Sequence, residues 1–164
     1  MTRLPALPRA ARIVAPLAGL SLLAAGCGGA ATPTPAPGPA TVSAHDTNLG
    51  KVLTDGKGRT LYLFEKDKPK ESYCSGACAA IWPPFTTKAA PKAGSGVTAS
   101  LLASTDRPDG TKQVTYHGHP LYYYVADNSK PGEMYGQDLK LFGDGWYVVS
   151  PKGEKVEKKK GGKS

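Results

Sequence analysis

The chain has 164 residues and a formal charge of +8, with 20 glycines and 15 prolines but only two methionines and three phenylalanines. So many turn formers exclude a helical bundle and favour short strands joined by turns. The charge narrows on inspection: Arg3, Arg9 and Arg12 lie in a leader expected to be removed, which leaves +5. Residues 152–164 hold Lys152, Lys155, Lys158, Lys159, Lys160 and Lys163 against Glu154 and Glu157, and so carry +4 of it. A body near neutrality with a basic tail argues against a nucleic-acid surface.

Residues 1–12 are basic without an acid, and residues 13–25 form an apolar run of 13, the polarity order of a secretory signal. The run is shorter than the roughly 20 residues a spanning helix needs. It ends at Leu23-Ala24-Ala25-Gly26-Cys27, which resembles the lipobox of bacterial lipoproteins, with Ala24 where leucine is usual. That resemblance implies cleavage after Gly26 and lipidation of Cys27, making 1–26 the signal peptide. The acyl chains would satisfy the two-signal requirement for stable anchoring.

Residues 27–43 come next as a lipidated, Pro-rich, disordered tether: residues 28–43 contain no charge and no aromatic, and prolines alternate from Pro33 to Pro39. Such a chain extends about 3.1 Å per residue and holds the folded part away from the membrane.

Residues 44–151 read as a β-rich domain. The clearest strands are Leu61–Phe64, Gln113–Tyr116, Leu121–Tyr124 and Trp146–Val149, and the turns fall at residues 55–58, at Asp109-Gly110 and at residues 117–120. The domain also repeats itself at an offset near 60 residues: GKGRTLYLFEKD (56–67) matches GHPLYYYVAD (118–127), and each copy is followed by a Lys-Pro step (Lys68-Pro69, Lys130-Pro131) and a tryptophan (Trp82, Trp146). Two repeats, about 48–90 and 104–151, are expected to pair into one small pseudo-symmetric antiparallel β domain, mainly β in class. Residues 152–164 complete the chain as a basic disordered tail.

Each repeat contains Tyr-x-aromatic-x-x-Asp: Tyr62, Phe64 and Asp67, then Tyr122, Tyr124 and Asp127. Strand residues two apart share a face, so each aromatic pair is expected to enter the core. Each aspartate would fall just past its strand and accept backbone N–H bonds from the following turn. Together with Cys74-Ser-Gly-Ala-Cys78, Trp82-Pro83-Pro84 and residues 145–151 (GWYVVSP), these motifs resemble the bacterial "secreted repeat of unknown function" family of lipoproteins over nearly all of residues 45–153. The resemblance implies class and location more than chemistry.

With Cys27 acylated, Cys74 and Cys78 remain as an even pair in an oxidising compartment, and a local disulfide is the direct reading. A short helix is expected near 75–82, ended by Pro83-Pro84, with the bridge distorting its first turn. The alternative is a redox or copper site in which the cysteines, His117, His119 and Met134 are brought together by the fold. No nucleophile elbow, metalloprotease spacing or phosphate-cradling loop is present, so no catalytic residue and no cofactor is expected. The leading expectation is a non-enzymatic binding or structural module, exported and lipid-anchored on the extracytoplasmic side. Its partners are the membrane, through Cys27, and an envelope protein, a cell-wall polymer or an anionic lipid. The rivals are an electron-transfer, metal- or haem-binding protein, and a carbohydrate or cell-wall binder stacking sugars on Tyr62, Tyr122, Tyr123 and Trp146.

Overall fold

The computed structural model describes residues 38–157. The signal, Cys27 and most of the tether lie outside the described residues, as does the tail from residue 158. Two hairpins set the plan. The first is β1 (Thr41–Thr47) and β2 (Gly50–Asp55), paired antiparallel from Val42↔Asp55 to Thr47↔Gly50. The second is β6 (Leu102–Asp106) and β7 (Lys112–Tyr116), paired from Leu102↔Tyr116 to Asp106↔Lys112.

Each hairpin is followed by a tight reversal and then by the repeated aromatic segment. After β2, the Asp55 carboxylate accepts the backbone N–H groups of Lys57 and Arg59 at 2.9 and 3.0 Å, and Thr60 returns to bridge Thr54. After β7, His117 and Gly118 both take positive φ, 50° and 84°, the geometry of a two-residue turn, and β8 (His119–Pro120) folds back on β7. The next residue repeats one contact in both halves: Leu61 N–H donates to Leu53 O, and Leu121 N–H to Val114 O, each at 3.0 Å.

In the first repeat the aromatic segment is β3 (Tyr62–Phe64). It pairs antiparallel with β10 (Asp144–Val148) at the end of the second repeat, and β10 also pairs with β9 (Leu139–Leu141). The second aromatic segment, read from sequence as a strand over Leu121–Tyr124, forms no regular ladder. It is shared among three neighbours instead: Leu121 N–H reaches Val114, Tyr122 bridges both Tyr62 and Pro84, and Tyr123 N–H donates to Pro83 O. Pro84 has no N–H with which to extend a ladder.

The first repeat continues through α1 (Ala77–Ile81) and β4 (Thr86–Thr87), and β5 (Lys92–Ala93) lies between the repeats. β4 pairs with β7, and β5 joins β1 as the parallel exception in a chain of otherwise antiparallel pairs. The expected Cys74–Cys78 disulfide is present, with Cα atoms 5.2 Å apart. The helix starts later than expected, at Ala77, so Cys74 lies before it and Gly76, at φ 54°, turns the chain between the two cysteines where the first turn of the expected helix would have been.

Strand alternation divides the interior in two. Leu61, Leu63, Leu121, Tyr147 and Val149 face a largely aliphatic cluster with Val42, Leu53 and Val114. Tyr62, Phe64, Tyr122, Trp146 and Val148 face the other side, an aromatic cluster with Trp82 and the disulfide. The central segments are therefore buried on both faces.

The folded domain extends beyond the sequence reading at both ends. β1 starts at Thr41, inside the stretch assigned to the tether, because Val42 is fully buried in the aliphatic cluster. Residues 152–157, assigned to the disordered tail, are held on β10: Val156 N–H donates to Val148 O at 2.9 Å, and Lys155 Nζ pairs with Glu65 at 2.8 Å. Gly153 is buried against the His117 ring at φ 83°, a place and a conformation that exclude a side chain.

Candidate functional site

The repeated motif converges on one seam between the halves, and its contacts are reciprocal. Tyr62 N–H donates to Tyr122 O, and Tyr122 N–H to Tyr62 O, both at 2.9 Å. Tyr62 O–H donates to Asp127 Oδ2, and Tyr122 O–H to Asp67 Oδ2, both at 2.7 Å. Each tyrosine thus binds the aspartate of the other repeat. The second carboxylate oxygen does what the sequence suggested, Asp67 Oδ1 accepting Tyr73 N–H at 2.7 Å and Asp127 Oδ1 accepting Tyr135 N–H at 2.9 Å.

The remaining motif positions obey the same exchange. Phe64 stacks on Trp146 of the other repeat at 4.1 Å, and Tyr124 on Trp82 at 4.3 Å. The two indoles stack on each other at 3.9 Å and 5°. Phe64, Trp146, Trp82 and Tyr124 therefore form one continuous pile, with Tyr62 edge-on to Trp82 and Tyr122 edge-on to Trp146 at 5.3 and 5.2 Å. The Lys-Pro steps lock the rim: Lys70 N–H donates to Gly118 O, and Gly132 N–H to Gly58 O, at 2.8 and 3.1 Å.

Burial sets the electrostatics of this seam. Desolvation raises the Asp67 carboxyl to about 6, against the lowering pull of the Tyr73 N–H and the Tyr122 hydroxyl, and it also raises Asp127. The Tyr62 and Tyr122 phenols are driven well up by burial and by the carboxylates they face, so both remain protonated donors.

Beside the seam lies a buried cation that sequence reasoning missed. Arg107 is 6% exposed and donates to Ser72 Oγ at 2.7 Å, Gln113 Oε1 at 2.6 Å and Cys74 O at 2.8 Å. Ser72 Oγ shares a hydrogen bond with the Tyr122 hydroxyl at 2.7 Å, and Gln113 Nε2 donates to Leu121 O at 2.8 Å. The guanidinium therefore ties the disulfide segment to the seam. Nothing in Arg107-Pro108-Asp109-Gly110 announces this, since an arginine opening a turn is usually solvated. Replacing Arg107 with Met is expected to lower stability by about 1.5–3 kcal/mol, by stranding buried acceptors; urea unfolding measures it.

A second polar group closes the first turn. Arg59 binds Asp55 Oδ2 at 2.6 Å and covers the Tyr123 ring at 4.2 Å, with its Nη2 2.8 Å from the Tyr123 hydroxyl. Nearby, an open cleft of about 500 Å³ is lined by His45, Thr54, Lys57, Thr60 and Pro131. His45 Nδ1 lies 2.6 Å from Thr54 Oγ1 there.

The candidate ligands from the sequence are not brought together. His117 is exposed at the β7–β8 turn, and His119 is half-buried beside Leu63, Glu65 and Lys155. Met134 packs against the aromatic cluster, and the cysteines are bonded to each other. Among the described residues no three His, Cys, Asp or Glu side chains are grouped to hold a metal ion. The sugar-stacking expectation is overturned directly: Tyr62, Tyr122 and Trp146 are each 0% exposed, and Tyr123 is half-buried under Arg59.

A search of curated proteins and one of solved structures each returned no match. A family model described as "secreted repeat of unknown function" matches residues 43–86 and 103–150, one copy for each half of the seam. With both copies of the motif meeting across a single pseudo-twofold seam, the chain belongs to the secreted repeat of unknown function family.

Proposed function

We propose that the chain is a lipid-anchored module of the cell envelope, held at Cys27 and displayed on the Pro-rich tether, with a structural or binding role and no enzymatic one. The observation that supports this reading is the reciprocal pair of Tyr–Asp hydrogen bonds. The repeated motif spends its polar atoms and its rings on joining the halves, so contact with an envelope protein, a wall polymer or lipid falls to the outer surface. Full-length chain expressed in a bacterium tests the anchor: Cys27→Ala is expected to move the protein from the detergent-extracted membrane fraction to the soluble one, with loss of the acyl mass. Retention in the membrane by the Cys27→Ala chain, or a wild-type mass without acyl groups, would sink the reading.

A further inference from the structure

The four stacked rings are arranged for more than packing. Centroid separations of 4.1, 3.9 and 4.3 Å place their π systems in direct contact from Phe64 through Trp146 and Trp82 to Tyr124. Tyr124 is half-buried, so the pile reaches the surface at that end, whereas Phe64 closes it in the core. Phenylalanine is too hard to oxidise to take part, which leaves Tyr124, Trp82 and Trp146 as the electronic path, with Tyr62 and Tyr122 touching its two indoles edge-on.

A buried aromatic gives up an electron and stays neutral only when its proton has somewhere to go, because isolated charge in a dry interior is costly. The two seam tyrosines have that outlet: each hydroxyl lies 2.7 Å from a carboxylate oxygen. The indoles do not. Trp82 Nε1 is buried with no hydrogen-bond partner, and Trp146 Nε1–H faces the Leu141 carbonyl at 3.0 Å, a very weak base. A hole on the tryptophans remains a buried cation, whereas on the tyrosines it is neutralised.

We propose that the aromatic seam is a one-electron relay, taking oxidising equivalents from a one-electron oxidant of the radical class at the Tyr124 edge and storing them as a neutral tyrosyl radical on Tyr62 or Tyr122. The oxidant gains one electron from Trp82 by way of Tyr124, leaving an indole radical cation that Trp82 and Trp146 share by exchange. Tyr62 then passes one electron to Trp82 as its O–H bond breaks, and the proton crosses to Asp127 Oδ2, where a new O–H bond forms. Tyr122 does the same through Trp146 and Asp67. The chain has then lost one electron and no proton. A reductant of the ene-diol or thiol class returns the electron at the same edge, and the proton moves back to the phenol oxygen.

Pulse oxidation of the full chain with azidyl radicals, followed by transient absorption and electron paramagnetic resonance, tests this. The indole radical is expected to convert to tyrosyl in a step independent of protein concentration and slower in D2O. Tyr73→Phe/Tyr135→Phe, which removes phenols 40% and 61% exposed, is expected to leave the tyrosyl signal intact. Tyr62→Phe/Tyr122→Phe is expected to lose it and to leave a persistent indole radical. Loss of the signal in the surface pair, or its survival in the seam pair, overturns the proposal. Should the seam pair not fold, the unaltered chain decides: a tyrosyl rise that scales with protein concentration, or that ignores D2O, overturns it.

Discussion

Trp146→Ala is expected to remove about 3–5 kcal/mol of stability, enough to leave a domain of this size unfolded or nearly so. The ring lies between Phe64 and Trp82, takes the edge of Tyr122, and is fully buried. Its removal opens a cavity that two strands from different repeats would have to move together to fill. Trp82→Ala is expected to cost a similar amount, because Trp82 holds the matching place between Trp146 and Tyr124. The milder Trp→Phe changes separate the two positions. Trp146→Phe gives up the bond from Nε1 to Leu141 O, whereas Trp82 Nε1 makes none, so Trp146→Phe is expected to be the costlier by about 0.5–1.5 kcal/mol. Urea unfolding followed by circular dichroism measures all four, and equal costs for the two Phe variants would show that the indole hydrogen bond contributes nothing.

The second large effect concerns the halves taken separately. A fragment ending in the connection near residue 98 keeps β1, β2 and β3 but loses β10, which pairs with β3, and Asp127, which holds Tyr62. The complementary fragment keeps β6 and β7 but loses β4, which pairs with β7, and Asp67, which holds Tyr122. Neither half retains a closed core: Leu53 N–H finds its acceptor at Val149 O in the other half, and Val114 N–H at Phe85 O. Each fragment alone is expected to lack near-ultraviolet dichroism and a cooperative transition. Mixed, the two are expected to recover both as a one-to-one complex. A single fragment that melts cooperatively as a monomer would show that the repeat is a domain in its own right.

The duplication was legible in the sequence because it is spelled by spacing, and spacing survives folding: Tyr62 with Tyr122, Asp67 with Asp127 and Trp82 with Trp146 can be aligned on paper. The burial of Tyr62, Phe64 and Tyr122 followed from strand alternation, whereas Tyr124 is only half-buried, and the oxidised Cys74–Cys78 pair followed from compartment and count. What spacing cannot carry is which copy each side chain serves. A pattern written twice looks the same whether Tyr62 binds Asp67 or Asp127. Three-dimensional exchange also explains the missed ladder at Leu121–Tyr124, whose partners come from Tyr62, Pro83 and Val114 and never from one continuous strand. Arg107 escaped for another reason. Its role rests on Gln113, Ser72 and the Cys74 carbonyl, acceptors drawn from two stretches about 40 residues apart in the sequence. The outward shift of both domain boundaries came from single residues, Val42 and Val156, too few to mark a pattern.

The covalent connection from β4 to β6 has a consequence for a protein that works outside the cytoplasm. Two separate chains with this seam would have to meet by diffusion, and at low copy number most would wait unpaired with their indoles in water. Joining them raises the local concentration of each half around the other to about the millimolar range, whatever the number of molecules present. The seam closes in every copy independently of dilution, so a cell can make very few of these molecules and still have each one folded.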